Sequence, residues 1–283
     1  MLASRLLGIL PEMTEQEAFE SARIRSISKQ TFDVNTWRHR PFRSPHHTCS
    51  QIALIGGGSV PGPGEVSLAH NGVLFLDELP HFQRHTLEVL REPLETGEVV
   101  VARAAAVNRF PANFQLIAAM NPCPCGNYGD QRSECICRID QIEKYLQKIS
   151  GPLLDRIDLH VEVPRAVADY HRSPATSNES SQTVALRVAN ARKIQLKRQN
   201  MLNQYLPNKA LNEVSPLGEP ELRFLDKAIE KLRLSARSYF KLLKVARTIA
   251  DLEESVPISP QHLGEALGFR CIDKLHADLK LLR

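Results

Sequence analysis

Apolar residues along the first 164 positions fall in short runs bounded by glycine and proline, interleaved with stretches of helical periodicity, the alternation expected of an α/β sheet domain. Two runs read as buried strands. Val73 to Leu76 is continuously apolar and ends in Asp77 and Glu78, while Phe114 to Met120 is apolar after Gln115 and ends at Asn121. Both deliver polar groups at their C-terminal ends. Between them Phe82, Leu87, Leu90 and Leu94 recur at helical spacing after Pro80, and Gly97 opens two β-like runs, Val99 to Ala102 and Val107 to Phe110. The pattern predicts helix, hairpin, then strand. Gly56 through Gly64 contains three consecutive glycines and a Pro-Gly-Pro-Gly, which predicts an exposed loop or hairpin tip.

Residues 165–182 are too polar to bury and read as a linker between a core at 1–164 and a second, helical domain at 183–283. In that domain Leu242, Val245, Ala246, Ile249 and Leu252 form one apolar helical stripe, with Arg237, Lys241 and Lys244 on another face.

At 283 residues the chain is long enough for a large core, and 42% hydrophobic with 24% charged residues is ordinary for a water-soluble globular protein. No apolar run approaches the roughly 18 to 20 residues a membrane helix needs, and the N-terminus lacks the order of a signal peptide, so a cytoplasmic protein without a membrane partner is expected. The formal charge of +4 says little by itself. From Arg187 to Arg247, however, fourteen Lys and Arg stand against five Asp and Glu, which makes the C-terminal third a candidate polyanion-facing surface or a solvated basic helical face.

The chemistry centres on the first strand. A buried run that pushes Asp77 and Glu78 beyond the C-terminal edge of a sheet has Walker B geometry: one carboxylate holds Mg²⁺ and the next orients and polarises the water that attacks a γ-phosphate. Asp77 is assigned to magnesium and Glu78 to water, against the plainer reading of a solvated strand end. Asn121 emerges beside them if the two strands are neighbours, with an amide suited to a γ-phosphate or the attacking water; otherwise it caps a turn before Pro122. Arg156, between Asp155 and Asp158, reads either as a salt-bridged arginine or as one presented at a subunit edge to a neighbour's phosphate. Arg237 opens a helix in the second domain and is a candidate for the same phosphate.

Four of the six cysteines, Cys123, Cys125, Cys135 and Cys137, lie within fifteen positions as C-x-C-x₉-C-x-C. That spacing can wrap a tetrahedral Zn²⁺, with free thiols or a redox pair as alternatives, while Cys49 and Cys271 look isolated. His46 and His47 have no acidic or cysteine partner nearby in sequence. With Arg40 and Arg43 they suit an anion or pore contact, or a structural cluster.

Together the stretches Arg40 to Thr48, the glycine-rich loop to Gly64, NGVLFLDELPHF from Asn71, NFQLIAAMNPCPCG from Asn113, SGPLLDRIDLHVEVP from Ser150 and VARTIADLE from Val245 resemble the ComM/YifB family. This family belongs to the magnesium-chelatase-like branch of the AAA+ ATPases. The resemblance implies an AAA+ P-loop NTPase core, a parallel sheet with flanking helices, followed by a small all-α lid. It implies ATP and Mg²⁺ as cofactors and a homo-oligomeric, hexameric ring that acts on DNA in branch migration during natural transformation. By the same resemblance Asp77 and Glu78 are Walker B, Asn121 is sensor 1, Arg156 is an arginine finger and Arg237 is sensor 2. The Gly56 to Gly64 loop and the Val99 to Phe110 hairpin are pore-facing inserts, with Arg103, Arg43, Lys241 and Lys244 as DNA-contact candidates.

The family pattern also includes a Walker A loop ending Gly-Lys-Thr or Gly-Lys-Ser, and no G-x-x-x-x-G-K-[ST] occurs in these 283 residues. Met1 to Leu7 resembles the helix that follows that loop, so the chain is expected to start just downstream of it, without the sheet's first strand. Since backbone amides and a lysine there supply most of the grip on the phosphates, the chain alone is expected to turn over ATP poorly. The function expected is a DNA-translocating motor subunit, with a chelatase-like remodeller or a non-hydrolysing regulatory remnant as alternatives.

Overall fold

The computed structural model describes residues 2–28, 33–58, 61–103, 106–130, 132–163, 179–232 and 234–270. They belong to two compact units, Met1–Arg156 and Ile157–Arg283.

In the first unit the strands are β1 (Phe42–Arg43), β2 (Gly56–Gly57), β3 (Gly62–Pro63), β4 (Val73–Leu76), β5 (Glu98–Arg103), β6 (Ala106–Pro111) and β7 (Gln115–Ala118). β1, β4 and β7 form a parallel sheet with β4 in the middle. Val73, Leu74 and Leu76 are fully buried, which explains the unbroken apolar run: a central strand covered on both faces has no place for polar alternation. β1 and β4 approach so closely that a Cβ on Gly72 would sit 2.1 Å from the Pro41 carbonyl oxygen, which in turn accepts the Val73 N–H at 2.8 Å. Only glycine fits there. Helix Glu15–Ile27 starts from a capping box between Thr14 and Glu17 and buries Ala18, Ser21 and Ile24, while Val66 and Leu68 of helix Glu65–Leu68 are buried beside it.

Two expectations for this unit need correction. β7 is shorter than Phe114 to Met120 and its side chains are exposed or half-buried, because among the described residues it pairs with β4 alone and forms a sheet edge. Phe82 to Leu94 is not one helix. A 3₁₀ turn at Leu79–His81 leads to helices Arg84–Glu88 and Arg91–Thr96, with Phe82, Leu87 and Leu90 still buried. Pro93 lacks an N–H and is tolerated in a first helical turn, so the chain restarts its helix at Arg91 and ends it on left-handed Gly97. The antiparallel hairpin β5–β6 follows as expected, and β2–β3 forms a second hairpin within the glycine-rich loop. Residues 59–60 and 104–105 lie outside the described residues.

The second unit is helical. Helices Asn208–Val214, Glu219–Leu232, Ala236–Leu252 and Pro260–Gly268 enclose a core that includes Leu211, Leu225, Leu242, Leu243, Ala246, Ala250 and Leu263, and helix Ser181–Gln199 packs on helix Ala236–Leu252. In helix Ala236–Leu252 the buried stripe runs through Leu243 and Ala250 as well as Leu242, Ala246 and Ile249, whereas Leu252 is exposed. The centre of the face thus lies about one position from the one read off the sequence. Of the polar segment 165–182, residues up to 178 lie outside the described residues, and helix begins at Ser181 under a Ser180 cap. Cys271 lies outside them as well.

Candidate functional site

Because β4 and β7 are paired neighbours in parallel register, with Leu76 opposite Ala118, their C-terminal ends emerge side by side. Asp77 and Glu78 leave β4 exposed, and Asn121 lies three residues beyond β7, also exposed. The ends are tied together by the Ala119 N–H donating to Leu76 O and the Leu79 N–H donating to Ala119 O, both 2.9 Å. Asp77 accepts the backbone N–H of Glu78 at 2.9 Å. Glu78 itself is left-handed, φ 52° and ψ 48°, a conformation that costs a residue with a Cβ roughly 1 kcal/mol. Such outlying backbone concentrates at functional positions. The turn brings the Glu78 carboxylate to 3.2 Å from His47 Nδ1 and 3.8 Å from His81 Nδ1.

That contact corrects the sequence reading of the histidines. His47 has an acidic partner, delivered by the fold from 31 positions away, and is not part of a cationic patch with Arg40 and Arg43. Arg40 is committed to Glu17 and to the carbonyls of Pro11 and Asn71. Arg43 forms a two-pronged pair with Glu65 at 2.6 and 2.7 Å, and that bond holds its guanidinium above the usual arginine range.

Beyond Asn121 the chain enters the cysteine loop. The sulfurs of Cys123 and Cys125 are 3.3 Å apart, those of Cys123 and Cys135 3.7 Å, and those of Cys125 and Cys135 3.6 Å; all four Sγ atoms lie within 4.8 Å of one another. Four zinc–sulfur bonds of about 2.3 Å in a tetrahedron require sulfur separations of about 3.8 Å, so the donor set fits zinc in both number and spacing. A disulfide, at about 2.05 Å, is not formed. The backbone N–H of Asn127, with the Cys123 thiol and the N–H of Ile136, draws the Cys125 thiol down to about 6. At Cys135 the Cys137 N–H pulls downward, but desolvation and the sulfurs of Cys125 and Cys123 push the thiol up to about 12. The cluster adjoins the carboxylates: Tyr145 hydrogen-bonds the Asn121 backbone and feels both Cys123 and Glu78.

Of the remaining site residues, Arg156, Lys241 and Lys244 are held by partners. Arg156 is 10% exposed, pairs with Glu95 at 2.8 Å and donates to the carbonyls of Arg91 and Pro152. Arg237, exposed, is the second residue of helix Ala236–Leu252 in the other unit. Lys241 pairs with Asp158 at 2.8 Å, and Lys244 donates to Gln204 O with its ammonium shifted down by burial. Arg103 ends β5.

A parallel α/β sheet with flanking helices, paired carboxylates at the end of its central strand, and a separate helical region make up an AAA+ type of protein. Comparison with known families agrees. Residues 1–170 match the family described as magnesium chelatase, subunit ChlI, and residues 178–270 match the C-terminal region of that subunit. The chain is 48% identical to competence protein ComM of Haemophilus influenzae over 275 residues, 97% of this chain and 54% of ComM. It is also 48% identical to YifB of Escherichia coli K12 over 282 residues, 100% of this chain and 55% of YifB. Identity to the magnesium-chelatase 38 kDa subunit of Rhodobacter capsulatus is 25% over 226 residues, 80% of this chain and 58% of that subunit. The chain therefore belongs to the magnesium-chelatase-like family, on its ComM/YifB branch. It spans about half the length of the curated relatives it matches. No helix among the described residues is long and apolar enough to cross a membrane.

Proposed function

We propose that this chain carries the hydrolytic half of an ATP-driven DNA motor of the ComM type. The observation that carries the reading is the pairing of β4 with β7, which brings Asp77, Glu78 and Asn121 to one edge of the sheet. In this reading Asp77 supplies the hard oxygen ligand for Mg²⁺, whose charge, when bound, offsets that of the phosphates. Glu78 orients the attacking water and accepts its proton, and the Asn121 amide donates to the γ-phosphate. Arg156 serves a neighbouring subunit of a ring, exchanging Glu95 for phosphate when subunits meet, and Arg237 acts from the helical unit. No G-x-x-x-x-G-K-[ST] segment occurs in these 283 residues, so none of them is assigned to the phosphate-binding loop.

DNA is the partner that the ComM resemblance and the basic C-terminal region favour. Arg43 and Lys241 are ion-paired and Lys244 is half-buried, so they are weaker phosphate contacts than the sequence implied, and the β5–β6 hairpin with Arg103 is the better candidate. Binding without base readout is expected to weaken steeply with salt. For about three to five phosphate contacts, affinity for random duplex falls about 40- to 500-fold between 50 and 200 mM salt, and Arg103→Ala lowers the slope by about one contact. A salt-independent affinity, or none, would favour a chelatase-like remodeller instead.

Cys123, Cys125, Cys135 and Cys137 hold Zn²⁺ in this proposal and pin the loop between Asn121 and helix Ile139–Leu146. Elemental analysis should find one zinc per chain bound there. Cys135→Ser should lose it, and an unchanged zinc content in that variant would rule the cluster out.

A further inference from the structure

Outside the cysteine cluster, one other set of side chains among the described residues has metal-ligand composition and spacing: His47, Glu78 and His81, whose ligand atoms all lie within 4.8 Å of one another. We propose that these three residues form a second metal site, which takes a divalent transition-metal ion of the zinc class through His47 Nδ1, Glu78 Oε2 and His81 Nδ1.

Ligand distances of about 2.0 to 2.1 Å in a tetrahedron put neighbouring donor atoms about 3.3 Å apart. The two carboxylate-to-imidazole separations, 3.2 and 3.8 Å, bracket that value, so an ion can enter with shifts of about half an ångström at those edges. Two imidazoles and one carboxylate leave an open fourth position and select zinc, cobalt or nickel over magnesium, which prefers an all-oxygen shell. The imidazoles are held by their neighbours. His47 packs against His46 with ring centroids 4.1 Å apart and presents an edge contact to Phe82 at 6.4 Å, and His81 stands edge-on to Tyr145 at 6.4 Å. Glu78 is fixed by its left-handed backbone, and His81 follows it by three residues across the 3₁₀ turn Leu79–His81. His47, Glu78 and His81 all keep part of their surface open, with side chains 28%, 54% and 50% exposed, so an ion has access.

Where Glu78 is the residue that activates water, an ion here occupies its carboxylate and holds the site off, so zinc becomes an inhibitor of turnover. This consequence rests on the proposed function, whereas the binding itself does not.

The test uses the whole chain with its cysteine cluster already filled by one equivalent of zinc, followed by titration with Zn²⁺ alone and, in parallel, with Co²⁺ alone. A second equivalent is expected to bind, with cobalt giving the more intense visible d–d bands of four-coordination and no added sulfur-to-metal charge-transfer band. His47→Asn and His81→Asn are each expected to weaken that second equivalent by about tenfold or more, since even the outer partners of metal ligands are worth that much. A measurement without any substitution complements this: bound zinc should protect His47 and His81 of the unaltered chain from acylation by diethyl pyrocarbonate. Binding of the second equivalent unchanged in both variants, or equal acylation with and without zinc, overturns the site. Because metal count and acylation are read without ATP, failure here is distinct from failure of the motor assignment.

Discussion

Glu78→Gln is expected to lower Mg²⁺-dependent ATP turnover by about 10²- to 10⁴-fold, measured with this chain joined to the part of ComM that it does not match. Glutamine keeps the size and hydrogen-bonding reach of the side chain but cannot accept a proton. Since Glu78 is more than half exposed and contributes nothing to the apolar core, its replacement should leave stability within about 0.5 kcal/mol. Unfolding monitored beside turnover therefore separates chemistry from folding. A variant that binds ATP, folds normally and has lost turnover fits the assignment; one that retains turnover within a few-fold removes Glu78 from the water-activating role.

The second large effect is one of stability. Asp251→Ala is expected to cost about 3 to 5 kcal/mol, because it strips the counter-charge from a buried arginine. Asp251 is fully buried and accepts from Arg247, Arg198 and the Asn203 amide, while Arg247 also donates to the carbonyls of Val256 and Ser255, each at 2.6 Å. Those carbonyls follow helix Ala236–Leu252, so the pair closes the helix end as well as neutralising its own charges. Denaturation followed by helical circular dichroism is the measurement. At about 1 to 3 kcal/mol per molar urea, the midpoint for the helical unit should drop by 1 M or more or vanish. Replacing both partners together, as Arg247→Met with Asp251→Leu, should restore part of the loss, because the buried Arg247 charge is then gone and only the partly exposed Arg198 is left without its carboxylate. A loss below about 1 kcal/mol in Asp251→Ala would mean that solvent reaches the pair.

The contrast between these residues explains what the sequence could and could not reveal. β4 was legible because a strand buried on both faces must be apolar throughout, and Asp77 and Glu78 were legible because they end it. The cysteines were legible because their partners are local in sequence. β7 was overestimated, since an edge strand can be as apolar as a central one when read alone. Ion pairs were illegible for a different reason. Arg43 with Glu65, His47 with Glu78 and Arg156 with Glu95 join positions far apart in the chain, and no periodicity announces them. The basic and histidine residues thus looked available for DNA or phosphate when the fold had already given them carboxylates. VARTIADLE, one of the stretches that resemble the family, owes its Arg and Asp to the buried pair at Arg247 and Asp251 rather than to a ligand.

The most direct test of the motor assignment is ATP turnover by this chain alone and joined to the part of ComM that it does not match, each with and without DNA, at 50 and 200 mM salt. Turnover is expected only in the joined form, stimulated by DNA at low salt and less so at high salt. Turnover by the chain alone, or a joined form indifferent to DNA, would contradict it.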